Sequence, residues 1–226
     1  MPKTIIKATV PYIKTKDFNK EQAIADFLSV IEDNPSYLCL YWSDPVPIHD
    51  GGKFYSSDEW VPDDGYDSKT RDWWIAAINA KDCGITEPYT DLTTGDLVTS
   101  ISYAIRENSK VTGVLAMDIT LDELSNIVKD MKITPNGQSF LVDSNSLYLT
   151  NDVFENIMEK SIFDDYPMLS KFKSEILSDS YLNVKASGGY YVISTKIDEQ
   201  TGWHLVTIGC TMLSWIVLDV LSKTTS

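Results

Sequence analysis

The chain has 226 residues, and 43% of them are hydrophobic, which supports a packed core and excludes a disordered tail. Lys and Arg number 19 against 33 Asp and Glu, a net charge of −14 that would repel nucleic-acid phosphates. Cys39, Cys83 and Cys210 lie far apart and read as small buried residues, neither a disulfide framework nor a zinc pattern.

The N-terminus lacks the apolar run of a signal peptide. "NKEQAIADFLSVIEDN" predicts a helix capped by Asn19, with Ala23, Phe27, Val30 and Ile31 on one face. "YLCLYW" (Tyr37–Trp42) reads as a buried strand. Residues 43–67, rich in Pro, Gly and Asp, predict a long loop with one strand at Lys53–Ser56. A loop of that length usually does something. Asp67 or Ser68 is expected to cap a helix that runs through Ala80 and stops at Gly84. "LVTSISYAIRE" and "KVTGVLAMDIT" alternate and form a hairpin across Asn108-Ser109. Thr120 and Glu123 then make a capping box for a further helix.

After Thr134–Gly137 the order restarts. "QSFLVDS" and "LYLT" read as strands, and "FENIMEKSIFDDYPMLSKFKSEIL" as helix interrupted before Pro167. "YLNVKAS", "GGYYVISTKI" and "WHLVTIGC" read as strands, with turns at Gly188-Gly189 and Thr201-Gly202 and a last amphipathic helix from about Thr211. Trp203–Leu221 is the most apolar tract, but His204, Asp219 and the break at Gly209 argue against a membrane span. The expected class is α+β, in two units of sheet plus helices. The expected divisions are a helical segment over 1–36, a first module over 37–132, a second over 133–210, and a C-terminal helix over 211–226. Both ends look cut from something longer.

One group of residues stands apart from core patterning. "YDSKTRDWWIAA" places Arg71 five residues after Tyr66 and two before Trp73. "EPYTD" supplies Tyr89 and Asp91, and Asp118 sits inside the otherwise apolar "GVLAMDIT". Acids inside strands are paired or functional, because burial disfavours a lone charge. The plainer reading of Asp118, a cap for the next helix, is better served by Thr120.

These segments resemble the membrane-distal module of double Cache (dCache) sensor domains, the extracytoplasmic ligand-binding regions of methyl-accepting chemotaxis receptors and related sensors. "GQSFLVDS" and "YYVISTKIDEQTGWHLVTIGC" resemble the membrane-proximal module. The likeness covers roughly residues 19–215. It implies two PAS-like Cache modules, each a mostly antiparallel sheet with flanking helices, joined to a long N-terminal helix largely truncated here. Tyr66, Arg71, Trp73, Tyr89, Asp91 and Asp118 match the motif of the subfamily that binds free amino acids. The resemblance implies that Arg71, Trp73 and Tyr66 hold the ligand carboxylate, that Asp91 and Asp118 hold its ammonium, and that Tyr89 shapes the wall. It also implies a membrane-anchored receptor with the sensor outside the cytoplasm, and leaves room for a homodimer through the N-terminal helix. No cofactor, metal or nucleic acid is implied.

If a helix spans this region, Arg71 and Trp73 lean toward the pocket from one turn, with Trp74 beside it. Position 74 is more often tyrosine in the family, so Trp74 bears on ligand choice or is plain core. Trp60, Tyr41 and the loop at 44–65 are further candidates for the lining. Three rival readings remain. The first is a hydrolase using Asp91 and Asp118 as acid and base, though no G-x-S-x-G, H-E-x-x-H or P-loop is present. The second is a calcium loop at "DLTTGD", which lacks EF-hand spacing. The third keeps the fold but takes an amine or a small carboxylate, which would leave one charged cluster unmatched.

Overall fold

A computed structural model describes residues 2–14, 19–178, 181–186 and 189–210. The chain divides into two compact units, Met1–Glu123 and Leu124–Ser226. The expected C-terminal helix from Thr211 lies outside the described residues, as does Gly188 of the expected turn.

The first unit opens with helices α1 (Pro2–Ile13) and α2 (Lys20–Glu32). Asn19 caps α2, its side chain accepting a hydrogen bond from the Gln22 N–H at 3.0 Å, and Ala23 and Phe27 are its buried face. Behind them lies a six-stranded sheet in the order β2-β1-β6-β5-β3, with β4 also paired to β5. The strands are β1 (Cys39–Ser43), β2 (Phe54–Ser56), β3 (Cys83–Ile85), β4 (Tyr89–Thr90), β5 (Leu97–Glu107) and β6 (Lys110–Thr120). Every pairing is antiparallel. β5 and β6 join through Asn108 (φ 48°) and Ser109 (φ 68°), two left-handed residues whose twist matches the flanking strands.

Helix α3 (Asp72–Asn79) is shorter than the sequence predicts and begins later. Asp67 instead caps a 3₁₀ turn over Ser68–Thr70, and Arg71 resets the backbone to an extended conformation (φ −89°, ψ 145°) before α3 starts. Arg71 is therefore the residue that precedes the helix, and its carbonyl accepts from the Trp74 and Ile75 N–H groups. Gly84 does not stop α3, which ends at Asn79, but sits inside β3. A Cβ at Gly84 would lie 2.4 Å from the carbonyl carbon and oxygen of Ala76, so glycine is what allows the strand to pass against the helix backbone.

Helix α4 (Leu121–Val128) starts as its cap predicts, with the Thr120 hydroxyl accepting from the Glu123 N–H at 3.1 Å. The second unit has a four-stranded antiparallel sheet in the order β7-β10-β9-β8. Its strands are β7 (Gln138–Val142), β8 (Leu182–Ala186), β9 (Tyr190–Lys196) and β10 (His204–Cys210). "LYLT" is not a strand. The Leu149 and Thr150 N–H groups both turn onto the Leu141 carbonyl, leaving isolated bridges only. The long helical pattern breaks into 3₁₀ turns at Phe154–Asn156 and Pro167–Phe172 and the one-turn helices α5 (Ile162–Asp165) and α6 (Lys173–Ile176). Met158 at φ 62° interrupts the first half, and Ser161 restarts the chain with a capping box to Asp164.

Replacing Gly84 by alanine should destabilise the first unit by about 1–3 kcal/mol, the usual cost of forcing volume into a filled contact. Calorimetric melting would show it as a lower first transition; an unchanged profile would mean that β3 and α3 can move apart.

Candidate functional site

In a strand, alternate residues share a face, and paired residues on neighbouring strands lie side by side. In this sheet Cys39 pairs with Asp118, and Asp118 pairs with Ser100. Tyr41 is two residues from Cys39 and joins the same face. The result is a carboxylate at the middle of the sheet, 3% exposed, surrounded by hydroxyl donors. Ser100 Oγ donates to Asp118 Oδ1 at 2.6 Å, Tyr41 Oη to the same oxygen at 2.9 Å, and Tyr89 Oη to Oδ2 at 3.0 Å. The Cys39 thiol lies 3.8 Å from Oδ2.

Burial pushes the Asp118 carboxyl up to about 6, against the pull of these hydroxyls. The like charge of Asp91 adds to the rise, but as the smallest of its causes, so desolvation and not repulsion within an aspartate pair sets the shift. The phenols of Tyr41 and Tyr89 are also pushed upward, first by burial and then by the Asp118 charge, which keeps them as donors.

Asp118 forms one wall of a cavity of about 60 Å³. That is room for roughly four to six water-sized groups. Tyr66, Arg71, Trp73, Tyr89, Asp91 and Asp118 all line it, as do Tyr41 and Trp60. Trp74 does not. It is 3% exposed and packs in the core against Trp73, with ring centroids 5.9 Å apart. Its lack of a hydroxyl therefore costs the cavity nothing directly.

Arg71 lies opposite in charge to Asp118. Its guanidinium carbon is 5.5 Å from the centroid of the Tyr66 ring, within cation–π range. Among the described residues it forms no ion pair. The Tyr66 phenol is raised by burial, while the Arg71 charge and hydrogen bonding from Trp73 and Arg71 pull it back. Edge-to-face rings build the apolar wall: Trp73 meets Tyr41 at 5.2 Å, and Trp60 meets Phe54 at 5.3 Å and Tyr66 at 5.4 Å.

Asp91 divides its roles. Its Oδ1 accepts from the Thr93 and Thr94 N–H groups at 3.0 and 2.7 Å and from the Thr94 hydroxyl at 3.0 Å, closing the turn that leaves β4. None of these bonds uses Oδ2. The segment "DLTTGD" is thus a self-capped turn, and among the described residues no group of three or more His, Cys, Asp or Glu side chains could hold a metal ion.

Cys39, Phe54, Ser56, Asp58, Leu92 and Thr93 complete the lining; Phe54, Ser56 and Asp58 fall in the loop at 44–65 expected to contribute to it, and Cys39, Leu92 and Thr93 are not singled out for it by the sequence. The alternation of β1 could have found Cys39, two residues from Tyr41. Ser100, which holds Asp118, becomes visible only through strand register.

Three comparisons bear on this arrangement. The Cache domain family model, in its double form (dCache_1), matches residues 3–209. Methyl-accepting chemotaxis protein McpC of Bacillus subtilis is 28% identical over 194 residues, which is 84% of this chain and 27% of that protein. McpG of Pseudomonas putida is 35% identical over 118 residues, 52% of this chain and 18% of that protein. The chain thus spans less than a third of the length of these relatives. Among solved structures, the ligand-binding domain of the Pseudomonas aeruginosa amino-acid chemoreceptor PctB in complex with L-Arg superposes with a TM-score of 0.64 at 20% identity, covering 94% of this chain and 87% of that one. The Pseudomonas fluorescens chemoreceptor CtaA domain with L-valine gives 0.62 at 22% identity, covering 90% and 85%. These likenesses establish the shared fold.

Asp118 gives the site a pH signature in stability. Its folded carboxyl, at about 6 against an ordinary 3.8, holds a proton that the unfolded chain has released. The stabilisation is present below the unfolded value and is lost as pH rises through about 6. The melting temperature of the ligand-free wild type, relative to Asp118→Asn, should therefore fall between about pH 4 and 7. A difference that is flat over that range would place the Asp118 carboxyl at its ordinary value.

Proposed function

The chain belongs to the Cache domain family, as a double Cache sensor domain, and on that premise we propose that its first unit binds a free α-amino acid as the sensing module of a chemoreceptor. The observation that carries this reading is a small cavity lined by Arg71, which forms no ion pair among the described residues, together with Asp118 and Asp91. A zwitterion presents a carboxylate and an ammonium on one carbon, and the lining of this one cavity presents a complement to each. The neighbouring structures support the ligand class, since PctB was solved with L-Arg and CtaA with L-valine.

In this reading Arg71 grips the ligand carboxylate through its planar fork, helped by the Tyr66 hydroxyl and the Trp73 indole N–H. Asp118 and the Oδ2 of Asp91 accept from the ammonium, and Tyr89 closes that end. Each charge-assisted bond contributes about 1.5–3 kcal/mol net, and a few of them reach the roughly −8 kcal/mol of micromolar binding after the entropy of association. The chemistry is recognition. The family and the fold are those of ligand-binding sensor domains, which supports recognition over catalysis.

On the same premise we propose that the domain lies outside the cytoplasm in a membrane-anchored receptor. No helix among the described residues is long and apolar enough to cross a membrane. The output need not be chemotaxis. Adenylate cyclase 1 of Rhizobium meliloti is 30% identical over 101 residues, covering 45% of this chain and 16% of that protein. A full-length gene without hydrophobic spans flanking this region would refute the placement.

Arg71→Ala and Asp118→Ala should each weaken amino-acid binding at least about tenfold, the loss of one charge-assisted contact. Affinity should hold near neutral pH and weaken as pH falls below about 6, where Asp118 takes up a proton, with proton release on binding in that range. Calorimetry on the folded variants, and across pH in buffers of differing ionisation heat, checks both. Undiminished affinity in Arg71→Ala would move the ligand elsewhere.

A further inference from the structure

The cavity holds more negative charge than a zwitterion needs. Asp58, Asp91 and Asp118 line it against the single cation Arg71. Asp58 follows β2 in a turn that the Glu59 N–H closes onto the Ser56 carbonyl at 3.1 Å, and its side chain lines the cavity. Asp118 pairs with Cys39 across β6 and β1. The Cys39 thiol feels all three carboxylates: burial raises it first, and the charges of Asp118, Asp58 and Asp91 add to the rise.

Asp58 differs from Asp118 in its surroundings. It is exposed and lies with the exposed Leu92 and Thr93 at the open end of the cavity. Its Oδ1 accepts from the Ser56 hydroxyl and from the Trp60 N–H, and neither bond uses Oδ2. A plain turn-closing role needs only Oδ1. It does not require the side chain to line the cavity as well.

We infer that the open end of the cavity selects an α-amino acid whose side chain carries a second positive charge, and that Asp58 is the residue that recognises it. The inference rests on the amino-acid reading above and deepens it. With the α-ammonium at Asp118 and the α-carboxylate at Arg71, a side chain that leaves through the open end meets Asp58 in the lining there. A neutral ligand would leave the lining two negative charges in excess of Arg71, whereas a side-chain cation offsets one of them where solvent still reaches.

L-lysine and L-norleucine test this, because they differ only in the terminal amine. Calorimetry on the wild type should show lysine bound about fivefold more tightly, the upper range for an ion pair that water can reach. Asp58→Asn keeps the acceptor for Ser56 and Trp60 and should lose the preference through weaker lysine binding, with norleucine unchanged. Asp58→Glu should keep the preference. Equal affinity for the two ligands in the wild type, or a preference that survives in folded Asp58→Asn, overturns the role of Asp58 while leaving amino-acid binding intact. Binding of smaller neutral amino acids but of neither probe also overturns it. Failure of every common amino acid to shift the melting temperature would instead remove the reading beneath it.

Discussion

A carboxylate at the centre of a sheet is costly, and the first unit is arranged around meeting that cost. Asp118 lies on β6, and its oxygens are reached by Tyr41 from β1, Ser100 from β5 and Tyr89 from β4. One side chain thereby ties together most of the sheet that carries it. The compensation stops short, because even with these donors burial holds the carboxyl up at about 6. Hydroxyl dipoles can satisfy its lone pairs without neutralising its charge. A cation can do both, which is why the same residue that burdens the empty domain would reward an occupied one.

The opposite side of the cavity solves a different problem. Arg71 must point a charge into a space walled by Tyr41, Phe54, Trp60, Tyr66 and Trp73 without collapsing onto an acid. The break between the 3₁₀ turn and α3 achieves this by putting Arg71 on extended backbone, where its direction is not dictated by helical periodicity. The Tyr66 ring then supports the guanidinium by its face, a weaker and less directional partner than a carboxylate. Aromatic walls also thin the water around both charges, which strengthens their action on anything placed between them.

Much of this is legible in the sequence, and the reasons are physical. Tyr66, Arg71, Trp73, Tyr89, Asp91 and Asp118 can be named because their order and spacing match the motif that the family resemblance implies, and all of them line one cavity. The long hairpin β5–β6 and the caps at Asn19 and Thr120 arise from local chemistry and appear as expected. Local signals fail where tertiary contact decides. Gly84 reads as a helix stop but is a packing residue, because its neighbour Ala76 is close in space and that closeness is not encoded in the flanking letters. The helix expected across Arg71 is broken by a 3₁₀ turn that Asp67 and Ser68 favour equally well. Ser100 carries no motif at all, and only pairing register brings it to Asp118; Asp58 lies in the loop at 44–65 that the sequence offers for the lining, but nothing local picks it out from its neighbours.

The distribution of these residues over the chain bears on how occupancy could be felt elsewhere. A ligand can shift a conformational equilibrium only by its difference in affinity for the two states. Here the groups that would hold its two ends come from different parts of the unit: Arg71 and Trp73 from the start of α3, Asp118 from the middle strand, and Asp91 from the turn after β4. Among the described residues neither Arg71 nor Asp118 forms an ion pair, so no salt bridge of either side chain sets the spacing of α3 and β6 that a bound zwitterion would impose. Occupation would fix that spacing with charge-assisted bonds at both ends. Because α4 begins at Leu121, directly after β6 ends at Thr120, the strand that carries Asp118 also carries the chain out of the first unit. The residue with most to gain from a ligand is therefore covalently upstream, by three positions, of the only backbone path to the second unit.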